Sequence, residues 1–142
     1  MRQLISMFSR DVATISPADS IGRAAEVMEQ QNIGAVVVTE QRRPVGMVTD
    51  RDIAVALGVH GSTPGESVQH IMTCPVTTMH QREGIFEATQ HMMRHSVRRM
   101  PVVNDDGHLV GLVTLDDLLV LLSRELDQLA QGVRAEVAAP KH

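Results

Sequence analysis

Residues 45–52 read Val-Gly-Met-Val-Thr-Asp-Arg-Asp, and the pattern returns 65 positions later, at residues 110–117, as Val-Gly-Leu-Val-Thr-Leu-Asp-Asp. Each copy predicts a short apolar strand that passes through a glycine, breaks at a threonine and continues as a helix. Threonine followed three positions later by an acid is also the pattern of a capping box, in which both side chains bond to backbone groups at a helix start. Because the pattern occurs twice at a long offset, it indicates a duplicated structural unit.

The duplication extends upstream of the quoted stretch. Residues 12–15 correspond to residues 76–79 at an offset of 64, and in both copies a helical pattern with i, i+3, i+4, i+7 spacing follows. The offset changes to 65 in the turn before the last strand, where an insertion is tolerated. The sequence therefore predicts an α+β fold of two pseudo-symmetric β-α-β-β-α repeats.

Composition suggests where the repeats are divided. Residues 59–67 are rich in Gly, Ser and Pro, which predicts a connector. Before the first strand, Leu4, Ile5, Met7 and Phe8 are expected to pack against the domain. We expect repeat one at residues 5–58, a linker at 59–70, repeat two at 71–131 and a tail at 132–142.

Charge and aromatic content argue against two classes of partner. The formal net charge is −4, so no global field attracts nucleic acid or an anionic membrane. The chain has no Trp, no Tyr and only two Phe, so it lacks the aromatic platforms of single-strand binders. Its longest run of large apolar side chains, Leu118–Leu122, is far shorter than the roughly 20 residues of a membrane span. We expect neither a nucleic-acid partner nor a membrane span.

Residue types also bear on location and on chemistry. Residues 1–10 show no secretory signal, and a single cysteine, Cys74, cannot form an internal disulfide, so a cytoplasmic location is expected. We expect Cys74 to be a small apolar filler. No nucleophile with an orienting base is recognisable, which argues against an enzyme. His91 and His95 lie four positions apart, but no third ligand is identifiable, so no metal is expected.

The last helix has an apolar pattern that is too wide for one contact. Residues 118–122 are Leu-Leu-Val-Leu-Leu, and Leu126 and Leu129 continue the pattern. A helix that is apolar on two sides needs two neighbours. One is its own sheet and the other is expected to be a helix of another subunit, which predicts a homodimer.

These two copies of five elements resemble a tandem pair of CBS (cystathionine-beta-synthase) domains. The resemblance rests on residues 45–52 and 110–117 and on Arg-Arg-Met-Pro-Val-Val-Asn-Asp-Asp-Gly at residues 98–107, and it covers about residues 5–127. It implies two small sheets packed together, a homodimer, and clefts between the repeats that take adenosine-containing ligands.

The residues of the repeated motif fit such a ligand. A carboxylate such as Asp117 or Asp52 only accepts hydrogen bonds, so it can hold both hydroxyls of a ribose but would repel a phosphate. The hydroxyls of Thr114 and Thr49, with the N–H groups at the helix starts, are the nearest phosphate donors. The glycine of each motif keeps the strand clear where ligand or backbone must come close.

In the family, each cleft combines the Thr-x-x-Asp of one repeat with the first strand of the other. Carried onto this chain, one site joins Thr114 and Asp117 to Asp11, Val12 and Ala13. The other site joins Thr49 and Asp52 to Pro75, Val76 and Thr77.

The two clefts differ in basic side chains. Arg98 and Arg99 match positions where family members often contact phosphate, whereas repeat one has Gly34 and Ala35 there. Arg51 is the residue that could substitute in the second cleft.

The resemblance implies a regulatory module that binds AMP, ADP or ATP and acts in trans on an unknown effector protein. Two alternatives stay open. One is a constitutive dimerisation or interaction module with vestigial clefts, and the other is a module that binds S-adenosylmethionine (SAM) or NAD.

Overall fold

The computed structural model describes residues 11–138. Residues 1–10 and 139–142 lie outside this range. The predicted packing of Leu4, Ile5, Met7 and Phe8, and the expected start of repeat one at residue 5, therefore also lie outside the described residues.

The ten elements follow the predicted order and confirm the α+β fold of two β-α-β-β-α repeats. A single 3-10 turn, Val68–His70, lies between the repeats. Repeat one contains β1 (Thr14–Ile15), α1 (Ile21–Gln31), β2 (Ala35–Glu40), β3 (Arg43–Thr49) and α2 (Asp50–Gly58). Repeat two contains β4 (Met79–His80), α3 (Ile85–His95), β5 (Arg99–Val103), β6 (Leu109–Thr114) and α4 (Leu115–Ala138).

Each repeat forms a three-stranded mixed sheet in which the middle strand pairs with both others. β1 runs parallel to β2 and β3 antiparallel to it, and β4, β5 and β6 repeat this arrangement. The register shifts once in each hairpin, between Val38 and Thr39 and between Val102 and Val103. The two irregularities lie at equivalent positions, so they belong to the repeat rather than to one copy.

The sheets pack against each other through their inner faces. In β2, Val36 and Val38 lie in the core beneath the helices of repeat one. Ala35 and Val37 alternate with them and face the other repeat. There they form a shared core whose members are Ala35, Val37 and Met47, with Val12, Val76, Leu109 and Leu112 packed around them. β2 is thus buried on both faces, which explains its continuous run of apolar residues.

The connecting segment, defined here as residues 59–70, is bonded to repeat one. The Gly22 N–H donates to the Pro64 carbonyl oxygen (2.9 Å), and the Ile21 N–H donates to that of Glu66 (2.8 Å). The Val68 side chain is fully buried in the core of repeat one. This segment is therefore part of the repeat-one surface.

Two further features concern expectations from the sequence. Cys74 is exposed, so the prediction that it is an apolar filler is wrong. It lies in an irregular stretch between the 3-10 turn and β4, where no core surrounds it. Among the described residues, no helix is both long and apolar enough to cross a membrane.

Gly46 of the repeated motif lies against the chain that leads into repeat two. A Cβ at this position would be 2.5 Å from the Met72 sulfur and 3.0 Å from the Thr73 carbonyl oxygen. The Met47 and Thr73 backbones exchange two hydrogen bonds beside it (3.2 and 2.9 Å). The close approach predicted for this glycine is made by the protein's own backbone.

We predict that Gly46→Ala lowers the free energy of unfolding by about 1–3 kcal/mol, because the added methyl group overpacks this contact. Gly58→Ala is the matched control, since no atom lies within 4 Å of its built Cβ. Urea unfolding of both variants measures the effect. Equal urea unfolding midpoints for the two variants would contradict the prediction, because they would show that the chain near Met72 moves aside without a loss of stability.

Candidate functional site

Both Thr-x-x-Asp motifs form capping boxes. The Asp52 N–H donates to Thr49 Oγ1 (3.1 Å), and the Thr49 N–H donates to Asp52 Oδ2 (2.9 Å). The corresponding bonds between Asp117 and Thr114 measure 3.0 and 3.1 Å. Each helix start is therefore preformed, and each aspartate uses only Oδ2 in these bonds.

A cavity of about 250 Å³ lies between the repeats at the start of α4. Asp11, Val12 and Ala13 line it from the segment before β1, while Arg99 and Thr114 line it from repeat two. Five of the residues expected in the first cleft are thus brought together. The cavity is completed by Gln31, Ile33, Gly34, Ala35 and Leu112.

Two neighbouring cavities continue this one in both directions. A larger cavity of about 680 Å³ shares Asp11 and Val12 and extends to Thr39 and Arg42 of the first hairpin. A smaller one of about 120 Å³ shares Arg99 and Thr114. We use "the inter-repeat groove" for the three together. Residues of both repeats line it.

Arg99 crosses from repeat two towards repeat one. Its Nη2 atom lies 3.6 Å from the point where a Gly34 Cβ would be, and Asp50 Oδ2 lies 3.2 Å from the same point. A methyl group at residue 34 would therefore press on the Asp50 carboxylate and touch the guanidinium at an ordinary contact distance, whereas a longer side chain would compete with Arg99 for this space. Repeat one has Gly34 and Ala35 where repeat two has its two arginines. Because Gly34 has no side chain, it leaves room for Arg99.

Two other expected residues lie beside this cavity rather than on its wall. Arg98 lines the smallest cavity with Asp116, and its carbonyl oxygen accepts the Leu115 N–H (2.8 Å). Asp117 is half-buried behind Thr114, where the capping bond orients it. Of the arginine pair, Arg99 is therefore the residue best placed to reach a ligand.

The residues of the second expected cleft are distributed differently. Arg51 and Asp52 line a separate cavity of about 500 Å³ together with His60, Ser62 and His70. Val76 instead packs into the shared core. Pro75 is exposed, and Thr77 and Thr49 are half-buried. The second site stays a prediction.

Gln31, Ile33 and Leu112 line the first cavity but were not expected from the sequence. The turn after α1 positions the first two, because Asn32 adopts a left-handed conformation (φ 52°) that ends the helix. Asn followed by Ile-Gly is a helix-stop pattern, and it could have pointed to this turn. Leu112 is reached only through the pairing of β6, which no local pattern shows.

Histidines of repeat two form a polar cluster away from the groove. The His80 Nε2 atom lies 2.7 Å from Asp105 Oδ1, and His91 Nε2 lies 3.2 Å from Glu83 Oε2. The His91 and His95 rings stack with centroids 6.2 Å apart. Within residues 11–138, no group of three or more His, Cys, Asp or Glu side chains is arranged to hold a metal ion.

Comparisons with family models, with protein sequences and with solved structures agree on one family. A model described as "CBS domain" matches residues 4–59 and again residues 68–124. The CBS domain-containing protein YhcV of Bacillus subtilis is 40% identical over 123 residues, which cover 84% of this chain and 85% of YhcV. Inosine-5'-monophosphate dehydrogenase of Methanocaldococcus jannaschii is 35% identical over 111 residues, but these cover only 21% of that enzyme.

The fold is shared with a solved structure. The CBS domain pair of protein MJ0100, in complex with 5'-methylthioadenosine and S-adenosyl-L-methionine, superposes with a TM-score of 0.77 at 26% identity. The match covers 88% of this chain and 99% of that chain. Two matches of the family model and the shared pair architecture show that this chain belongs to the CBS domain family and carries the domain as a tandem pair.

Proposed function

We propose that this protein is a regulatory module that binds an adenosine-containing ligand in the inter-repeat groove. AMP, ADP or ATP is the expected ligand class. The module is not an enzyme; it forms a homodimer and acts in the cytoplasm on a separate effector protein. The observation that carries the proposal is the cavity in which Arg99 and Thr114 of repeat two meet Asp11, Val12 and Ala13 of repeat one.

The chemistry of the cavity supports a nucleotide. The Arg99 guanidinium and the Thr114 hydroxyl, on paired residues of β5 and β6, offer hydrogen-bond donors beside the positive end of the α4 dipole. Val12, Ala13 and Leu112 line the same cavity and offer apolar contacts and backbone polar groups. A phosphate suits the first environment and an adenine ring the second.

The ribose is assigned to Asp117. Its capping bond uses Oδ2, and a carboxylate accepts several hydrogen bonds through its two oxygens. Asp117 lies next to the cavity through its capping bonds to Thr114, which lines the wall. The complex of the MJ0100 domain pair with 5'-methylthioadenosine and S-adenosyl-L-methionine supports an adenosine-containing ligand, although neither of those compounds carries a phosphate.

A constitutive dimerisation module is the second candidate. The capping boxes favour it, because Thr49, Asp52, Thr114 and Asp117 have a structural role that needs no ligand. Arg99 distinguishes the two candidates, since a cap requires no guanidinium at the cavity wall.

Purified protein should take up an adenosine compound, and this is the first test. Because the chain has no Trp or Tyr, adenine would dominate its ultraviolet absorption. Saturation at a hundred times the dissociation constant should stabilise the fold by about 2.7 kcal/mol. AMP, ADP, ATP, SAM and NAD should be compared by thermal unfolding. If none of them raises the melting temperature, the sensor proposal fails and the dimerisation module is favoured.

We predict that Arg99→Ala weakens AMP binding by about ten-fold or more, because a charge-assisted hydrogen bond contributes roughly 1.5–3 kcal/mol. Adenosine, which lacks the phosphate, should bind almost as before. Isothermal titration of both ligands measures this difference. Arg124→Ala is the control, since it removes an equal charge from an exposed position on α4. Equal losses for AMP and adenosine would show that the phosphate lies elsewhere.

Asp117→Asn is predicted to weaken adenosine and AMP alike, by about ten-fold, because the ribose loses a charged acceptor. Asparagine keeps one oxygen for the bond from the Thr114 N–H, so the cap is retained. Asp52→Asn is the matched control in the other repeat and should have a smaller effect on the same titrations. A larger loss from Asp52→Asn would assign the ligand to the other cleft.

A further inference from the structure

The connecting segment and α2 enclose a cavity of about 500 Å³ that shares no described residue with the inter-repeat groove. None of the described residues that line it belongs to residues 75–77, which the family resemblance places in the second cleft. We call it the α2 cavity, and its lining residues are Arg51, Asp52, Val55, Ala56, His60, Ser62, His70 and Ile71.

Backbone hydrogen bonds hold the start of the connecting segment against the end of α2. The His60 N–H donates to the Val55 carbonyl oxygen (3.1 Å), and the Ser62 N–H donates to that of Ala56 (2.9 Å). The segment therefore turns back on the last turn of the helix. His60 and Ser62 are thus positioned at this end of the cavity.

The end of the connecting segment returns to the other end of α2. Thr73 forms an antiparallel bridge with Met47 of β3. In an antiparallel pair, each step back along one strand matches a step forward along the other, so the residues before Thr73 lie near the residues that follow β3. His70 therefore enters the cavity near Arg51, which belongs to the first turn of α2.

The polar wall of the α2 cavity consists mainly of hydrogen-bond donors. The Arg51 guanidinium has several N–H groups, the rings of His60 and His70 each offer an N–H, and Ser62 offers a hydroxyl. Within residues 11–138, these four side chains have no hydrogen-bond or ion-pair partner. Donors that line one cavity without a protein acceptor fit a ligand that is rich in acceptor oxygens.

Asp52 is the single acid on this wall, and it limits which ligand fits. Its Oδ2 atom accepts the Thr49 N–H (2.9 Å), so the cap holds the carboxylate in place. A carboxylate repels a phosphate but accepts hydrogen bonds from hydroxyl groups. The wall therefore suits a ligand that carries both kinds of group.

The positive end of the α2 dipole indicates where the phosphate of such a ligand lies. Arg51 is in the first helical turn, and His70 is the second basic side chain at this end. A guanidinium binds a phosphate through paired N–H groups, and the helix start attracts negative charge. The other end of the helix, beside His60 and Ser62, is the negative end of the dipole and suits uncharged hydroxyl groups.

The size and the apolar wall of the α2 cavity argue for an organic ligand. Its volume of about 500 Å³ lies within the range of small-molecule sites. An inorganic phosphate would occupy only part of this space. Val55 and Ala56, from the middle of α2, and Ile71 provide apolar contacts for a carbon skeleton.

We propose that the α2 cavity binds a sugar phosphate, with the phosphate between Arg51 and His70. The hydroxyl groups of the sugar face Asp52 and Ser62. A free sugar phosphate and the ribose phosphate of a nucleotide share this chemistry. The site is independent of the ligand proposed for the inter-repeat groove, and its ligand bridges α2 and the segment that leads into repeat two.

Ribose 5-phosphate is the probe, and the backbone amide signals of His60 and Ser62 in NMR spectra of the full chain report binding at this site. We predict that Arg51→Ala raises the dissociation constant fitted to these signals by about ten-fold or more, because charge-assisted hydrogen bonds to the phosphate are lost. Arg23→Ala is the matched control, since Arg23 is an exposed arginine on α1 outside the cavity. Circular dichroism verifies that both variants fold.

Two further probes test the two halves of the ligand. Ribose, which lacks the phosphate, should bind about ten-fold more weakly or worse. Inorganic phosphate that binds as tightly as ribose 5-phosphate would reduce the site to an anion site and overturn the sugar phosphate. Equal dissociation constants for Arg51→Ala and Arg23→Ala would also overturn the proposal, as would shifts confined to groove residues such as Ala13 and Thr114.

AMP distinguishes the two sources of a ribose phosphate, because it carries the same unit with a base attached. Shifts of the His60 and Ser62 amides by ribose 5-phosphate alone support a free sugar phosphate as the ligand. Shifts of both amides by AMP as well support the site with a nucleotide as its source. If neither compound shifts them, the α2 cavity is not a sugar-phosphate site, whereas the titrations of Arg99→Ala still decide the ligand of the groove.

Discussion

The contact between the two sheets is the interaction on which the rest of the structure depends. The helices of each repeat cover only one face of its three-stranded sheet, so the other apolar face has to be buried against another layer. The shared core of Ala35, Val37 and Met47 gives repeat one its second buried face, and Leu109 and Leu112 approach it from repeat two. The groove runs along the rim of this contact, so both repeats contribute to its walls. Loss of the shared core would therefore remove the proposed ligand site together with the pair architecture.

Much of the fold was predictable because the chain contains two copies of one unit, and these can be compared with each other. The repeat revealed the element order. The resemblance to CBS domain pairs led to the expectation of Asp11, Val12, Ala13, Arg99 and Thr114 in one cleft, and the structure brings these five together. Other features depend on packing that no local pattern encodes. Asp52 and Arg51 face the connecting segment because of how that segment folds back. α4 continues to Ala138 although its apolar period fades after Gly132.

The two repeats differ in side chains beside the proposed groove. Gly34 and Arg99 lie close together, although they belong to non-equivalent positions in the two repeats. A basic side chain at both positions would bring two guanidinium groups into the same small space, at a cost in repulsion. Gly34 therefore leaves space for Arg99. As a result, the two expected clefts differ in their basic side chains. Duplication supplied two similar motifs, and only the cavity beside Thr114 is lined by a guanidinium from the position pair 98–99.

The attachment of the connecting segment to repeat one limits how far the two repeats can move relative to each other. Pro64 and Glu66 are bonded to the start of α1, and Thr73 is paired with Met47 of β3. The two repeats are thus joined by a linker that is held in place by backbone hydrogen bonds. If a ligand binds in the proposed groove, we expect the two repeats not to separate widely. We expect instead a small rotation of one repeat on the sheet contact, which an effector protein would sense as a change of angle.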